Sequence, residues 1–148
     1  MSKAEKFGEA GEKGSLAEQK IMSYYSKIGY EVKDLTADTT GSFEYESRGI
    51  DFGIKKSSWK NWMYCDSKAN LSGNTTFLEI VKLGKPGWFC SSQSNRIKHY
   101  DLATGRMAYY DLPEMRMEVV KKGLTPNERG LIKIDINDFN NIRVINTK

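Results

Sequence analysis

The chain of 148 residues has only two cysteines, Cys65 and Cys90, and one histidine, His99. Two thiols cannot build the disulfide framework of a small secreted domain, and no CxxC or Cys/His ligand spacing surrounds them. Both read as small buried apolar residues. A lone histidine gives histidine-based catalysis little support, and His99, within RIKHY, reads as a structural imidazole. No apolar run approaches the roughly 18 to 20 residues needed to span a bilayer, so no transmembrane helix is expected. The first residues, MSKAEKFGEAGEKG, lack the apolar core of a secretory signal, which points to an intracellular protein in a reducing, cytoplasmic setting. One domain's length suffices to fold without a disulfide or a structural metal.

What is present is an ordinary globular balance, 39% hydrophobic and 28% charged, with a net charge of +4. A pI near 9.0 permits a polyanionic partner without demanding one. Residues 1–14 are rich in glycine and charge and read as a flexible arm, leaving a single domain over 15–148. Helix formers run from Ser15 to Ile28, with Glu18 three residues after Ser15 and Gly29 at the stop. A second helix, Leu112 to Lys122, is expected behind Asp111, with Pro113 and Glu114 in its first turn and Gly123 as its end. Between and after these, strand patterns recur at Tyr30–Leu35, Phe43–Arg48, Gly49–Lys56, Trp62–Asn70, Thr75–Leu83, Gly87–Ser91, Ile97–Leu102, Arg106–Tyr110, Leu131–Ile136 and Ile142–Ile145. The order implies an α+β or mixed α/β domain with a central mixed sheet and flanking helices.

The two runs flanking Ser57–Asn61 form an expected hairpin whose register is testable. A turn centred on Ser58 and Trp59 pairs Phe52 with Cys65 and Ile54 with Met63 on an apolar face. The same register opposes Asp51 to Asp66 on the other face, with Lys68 two residues further along that side. Like charges so placed repel unless a cation lies between them, and carboxylate oxygens suit Mg²⁺ or Mn²⁺. Lys68 would then stabilise charge developing on a phosphate or help to activate water. Trp59, at the hairpin tip, lies roughly 23 Å from these acids at about 3.3 Å per residue, too far for a catalytic part. Exposed basic residues Lys82, Lys85, Arg96 and Lys98 are candidates for phosphate contacts, with alternation placing Arg96 and Lys98 on one side of their strand.

Asp51 opening a strand, followed by Asp66-Ser67-Lys68 on the next, resembles the D…(D/E)xK signature of the PD-(D/E)XK nuclease superfamily, with Ile50 in place of its proline. Glu18 occupies the place of that family's N-terminal helix acid, and Ser72-Gly73-Asn74 followed by Glu79 looks like the TGN…E segment of some phage-type members. The resemblance covers roughly residues 15 to 122. It implies a restriction-endonuclease-like fold and a phage or mobile-element endonuclease that hydrolyses DNA, with branched or junction DNA among its substrates. It further implies Mg²⁺ or Mn²⁺ held by Asp51, Asp66, the Ser67 carbonyl and Glu18, with Lys68 orienting water and Asn74 and Glu79 accessory. Members that cut both strands are often homodimers. Glu18 has a second reading, as the capping partner of Ser15. The residues do not separate DNA from RNA, and a non-catalytic nucleic-acid-binding or virion protein with the same fold is the alternative function.

Overall fold

The computed structural model describes residues 3–148, with side chains described from residue 11 onward. Helix α1 spans Lys3–Lys27, so the arm expected over 1–14 is helical from Lys3, and its first two residues lie outside the described part. Ser15 therefore sits inside a continuous helix rather than at its N-cap, which removes the capping reading of Glu18. Ala17, Ile21 and Tyr25, spaced four apart, are buried along one stripe of this helix, as an amphipathic helix on a sheet requires.

Strands β1 (Glu31–Asp34), β2 (Phe52–Lys55) and β3 (Met63–Lys68) form an antiparallel meander at one side of the main sheet. Between β1 and β2 lie two one-turn helices, α2 (Ala37–Thr40) and α3 (Glu44–Ser47), where Phe43–Arg48 was expected to be extended. The Thr75–Leu83 run is split into β4 (Thr75–Glu79) and β5 (Val81–Lys82), and β5 pairs with β6 (Lys85–Pro86). Gly87–Ser91, expected as a strand, forms helix α4 (Trp88–Ser91). Then follow β7 (Arg96–Tyr100), β8 (Arg106–Asp111), helix α5 (Leu112–Lys121), β9 (Leu131–Asp135) and β10 (Arg143–Asn146).

The main sheet runs β1-β2-β3-β7-β8-β10, and a second pair, β4 with β9, lies beside it. β3 and β7 are parallel, and the other pairs in the sheet are antiparallel. The fold is thus mixed α/β. Two apolar clusters sandwich the sheet. Phe52, Ile54, Cys65, Tyr100 and Met107 pack with the α1 stripe on one face. Ile97 and Tyr110 pack with Phe89, Leu112, Met115, Leu78 and Ile132 on the other. Four successive residues of β7, Ile97 to Tyr100, are buried, so alternation along this strand distinguishes two buried faces rather than inside from outside. Asp111 precedes α5 but makes no side-chain cap bond; its carboxylate instead takes a 2.9 Å bond from Arg96 Nε. Among the described residues, no helix is long and apolar enough to cross a membrane.

Candidate active site

The hairpin register predicted from the sequence is the one observed, Phe52 opposite Cys65 and Ile54 opposite Met63. Asp51 lies one residue before β2, and its delivery is tightly built. Gly49 adopts φ +72°, and a Cβ there would lie 2.9 Å from Ser92 Oγ, so only glycine fits both the backbone and the space. The Gly49 carbonyl accepts from Ser92 Oγ (3.0 Å) and Ser94 Oγ (2.7 Å), and Ile50 is fully buried. Asp51 N then donates to the Cys65 carbonyl at 2.9 Å. Its Oδ2 accepts from the Ser67 amide at 2.8 Å and the Ser67 hydroxyl at 3.3 Å. A strand amide is thus aimed at a carboxylate, which holds Asp51 against β3.

Asp66 is 3% exposed and alternates to the face opposite Cys65. Lys68 Nζ stands 3.3 Å from the Asp66 Oδ1, and the Asp66 carboxyl lies beside that of Asp51. Burial pushes the Asp66 carboxyl well above the usual range, Lys68 opposes the shift and Asp51 adds to it. Two carboxylates this close repel when both are ionised, and the Lys68 ammonium at the edge of the pair offsets part of that repulsion.

Lys68 rests on a layer that the sequence did not reveal. Its parallel partner across β3 and β7 is His99, and the Trp88 ring lies 5.0 Å from Lys68 Nζ and 5.7 Å from the imidazole. Burial pulls the His99 pKa down to about 3, with Lys68 adding to the effect, so the ring is neutral. Asn70 Nδ2 donates to the Phe77 carbonyl, which leaves Asn70 Oδ1 as the acceptor for Thr76 Oγ1 (2.8 Å) and for His99 Nδ1 (2.6 Å). The proton is thereby assigned to Nδ1, and Nε2 accepts from Tyr110 Oη at 2.8 Å. His99 is structural, as its sequence context suggested, and it fixes the floor under Lys68.

No family model, curated protein or solved structure matches this chain.

The remaining predicted residues separate into those near the acid pair and those with other work. Glu18 is 5% exposed on α1, which packs against the Cys65 face of the sheet. Among the described residues, no group of three or more His, Cys, Asp or Glu side chains is placed to hold a metal, so Glu18 does not complete a three-acid cluster with Asp51 and Asp66. Asn74 lies at a turn, where its Oδ1 accepts from Arg106 Nη2 at 3.2 Å. Glu79 Oε1 accepts from the Trp88 amide at 3.2 Å, which ties the start of α4 to β4. Lys82 and Lys85 are exposed on the β5–β6 hairpin. Arg96 is paired with Asp111 and packs over the Tyr109 ring.

Lys98 corrects the expectation of a surface phosphate contact. It is fully buried, donates to Tyr25 Oη at 2.7 Å and lies over the Tyr25 and Tyr109 rings at 4.6 and 4.5 Å. Its strand is covered on both faces, so the polar side chain was carried into the interior with a phenol as partner. Burial lowers its pKa to about 8. Trp59, left unassigned by the sequence, packs edge-on against Tyr30 at 5.6 Å, and Trp62 lies under Lys33 Nζ at 4.1 Å.

Chemically, the site offers hard oxygen donors from two adjacent carboxylates, a cation at their edge, and no thiolate or imidazole lone pair aimed at them. That donor set fits Mg²⁺ or Mn²⁺ better than zinc or copper.

Proposed function

We propose that this protein is a metal-dependent endonuclease that hydrolyses phosphodiester bonds of DNA, as the sequence resemblance to PD-(D/E)XK nucleases implied. The observation that carries the reading is the buried Asp51/Asp66 pair, with the Ser67 amide on Asp51 and Lys68 Nζ 3.3 Å from Asp66. A buried pair of acids sharing a single ammonium is costly to keep for stability alone, and such arrangements concentrate at functional sites. In this reading Asp51, Asp66 and the Ser67 carbonyl hold Mg²⁺ or Mn²⁺. When bound, the ion would polarise a phosphoryl oxygen and acidify a water. Lys68 neutralises charge developing on the phosphate, and its place is fixed by Trp88 and His99. Ser67 orients Asp51 through its amide. Glu18 is left out of the ion's ligands. Where both strands are cut, a homodimer is the assembly this reading carries.

One observation favours the runner-up, a nucleic-acid-binding protein that keeps the fold without catalysis: the two acids lack a third among the described residues. The two readings separate on incubation with supercoiled, linear, single-stranded and four-way-junction DNA, and with RNA, in Mg²⁺ or in EDTA. The nuclease reading expects cleavage in Mg²⁺ that is lost in EDTA and in Asp66→Ala and Lys68→Ala. Binding without cleavage in every arm would establish the runner-up instead.

A further inference from the structure

The β5–β6 hairpin breaks three local rules in four residues. Lys82 faces Lys85 directly across the pair, an arrangement in which like charges repel. The two turn residues have positive φ, +51° at Leu83 and +74° at Gly84, the pattern of a type I′ turn, whose first position favours Asn or Asp over a branched apolar residue. Leu83 is also 93% exposed, so packing within the chain does not compensate. A sequence that violates local preference at one point, with no gain inside the fold, marks a functional feature.

The tip is nevertheless firmly mounted. The amides of Ile80 and Val81 both donate to the Gly130 carbonyl, at 2.8 and 3.2 Å, and Gly87 N donates to Ile80 O at 2.8 Å. Gly130 has φ +78°, and a Cβ there would lie 2.1 Å from the Val81 carbonyl, so the stem is seated where only glycine fits. Beyond β6 the chain passes through Gly87 into Trp88, whose ring lies 5.0 Å from Lys68 Nζ. Leu83 is five residues before Trp88, hence at most about 17 Å from it along an extended chain.

We propose that this hairpin is a wedge for duplex nucleic acid, in which Leu83 enters between neighbouring base pairs while Lys82 and Lys85 bind the flanking phosphates. The proposal rests on the nucleic-acid reading above and adds to it a place where the duplex is distorted. Apolar side chains inserted at a base step unstack it partly, and they act where cationic groups hold the backbone on either side. The phosphates supply the negative charge whose absence leaves Lys82 and Lys85 in mutual repulsion. At most about 17 Å from Trp88, the opened step would fall within roughly one helical turn of the acid pair. A lone leucine offers too little apolar area to anchor the protein to a membrane.

The test uses the full chain in EDTA, where cleavage is blocked, with duplexes carrying 2-aminopurine at successive positions and with fluorescence anisotropy at several salt concentrations. The wild type should raise 2-aminopurine fluorescence at one or two adjacent steps. Leu83→Asn should abolish that rise and weaken binding roughly tenfold or more, while raising Tm by about 2 to 4 °C because the turn residue now suits its backbone; the gain in Tm separates lost insertion from misfolding. Lys82→Ala and Lys85→Ala should each reduce the slope of log K against log salt by about 0.9. If Leu83→Asn binds and unstacks like the wild type while Mg²⁺-dependent cleavage persists, the wedge is refuted and the nuclease reading stands. If the wild type binds no DNA and cleaves none, the reading beneath it fails and the wedge with it. Sedimentation of the wild type, but not Leu83→Asn, with anionic phosphatidylserine vesicles, at unchanged DNA binding, would assign the hairpin to a membrane and overturn the proposal.

Discussion

Replacing Asp66 with Asn should make the metal-free protein more stable while removing its activity. In EDTA at pH 7 the wild type must either bury a second carboxylate charge beside Asp51 or hold a proton that the unfolded chain would release. The amide that replaces the carboxyl donates a hydrogen bond to Asp51 without a charge to bury. What is lost is the Lys68 contact, whose ammonium end is 26% exposed on its side chain and can be solvated, so that loss is small. The net expectation is a gain of roughly 1 to 2 kcal/mol, or about 2 to 8 °C in Tm for a chain of this size. The gain should depend on pH in a defined direction. Asp66 has its folded-state pKa raised, so the native state holds more protons than the unfolded chain above the ordinary Asp value near 4. Wild-type stability therefore falls as pH rises from about 4 through the raised value, and the gap to Asp66→Asn widens over that window. Thermal melts in EDTA from pH 4 to 7.5 measure it. With Mg²⁺ at about a hundredfold excess over its Kd, the wild type should recover about 2.7 kcal/mol and Asp66→Asn should gain little. A variant that melts below the wild type at pH 7, or a gap that ignores pH, would refute this view of the pair.

Lys98→Met should stabilise the protein at pH 7 by roughly 1 to 2 kcal/mol, since it removes a buried ammonium. Because the Lys98 pKa is lowered to about 8, the unfolded chain binds more protons between about 8 and 10.5, wild-type stability from this group rises across that window, and the advantage of Lys98→Met should narrow there. Urea midpoints at pH 7 and 10 check this; Cys65 is pushed up to about 11 by burial with Lys98 opposing the shift, and losing that opposition in Lys98→Met narrows the advantage further. Gly49→Ala should cost roughly 1 to 3 kcal/mol and slow cleavage, because a left-handed backbone and the Ser92 hydroxyl must both give way and Asp51 moves with them; a melt and a rate measured together test the coupling. Glu18→Gln should lower the cleavage rate less than about tenfold, against a hundredfold or more for Asp66→Asn, as expected of a residue outside the ion's ligands. A hundredfold loss in Glu18→Gln would restore it to them.

The acid pair and its register were legible because a hairpin's side-chain period of two leaves few alternatives once Phe52, Ile54 and Cys65 must share a buried face. The α5 boundaries were legible from Pro113 and Gly123, whose φ of +68° matches a helix stop. What the sequence did not disclose was set by long-range partners. Lys68 meets His99 through a parallel pairing across 31 residues of chain, which carries no local signal. Lys98 looked like a surface cation because alternation was taken to separate core from solvent, whereas β7 is covered on both faces. Trp88-Phe89-Cys90-Ser91 has strand-like composition but is a single helical turn seated by Glu79 and by Arg116, which donates to the Phe89, Cys90 and Ser92 carbonyls. The extension of α1 back to Lys3 overrode the glycines of MSKAEKFGEAGEKG, a reminder that propensity is a weak prior.

The most direct measurement is the initial rate at which wild type, Asp66→Asn and Lys68→Ala nick supercoiled DNA in 10 mM Mg²⁺, roughly the excess a weak carboxylate site requires. Nicking by the wild type that is abolished by EDTA and falls at least about a hundredfold in both variants is the predicted result. Equal rates in the three proteins, or nicking that survives EDTA, would contradict the assignment of the Asp51, Asp66 and Lys68 cluster as the catalytic centre.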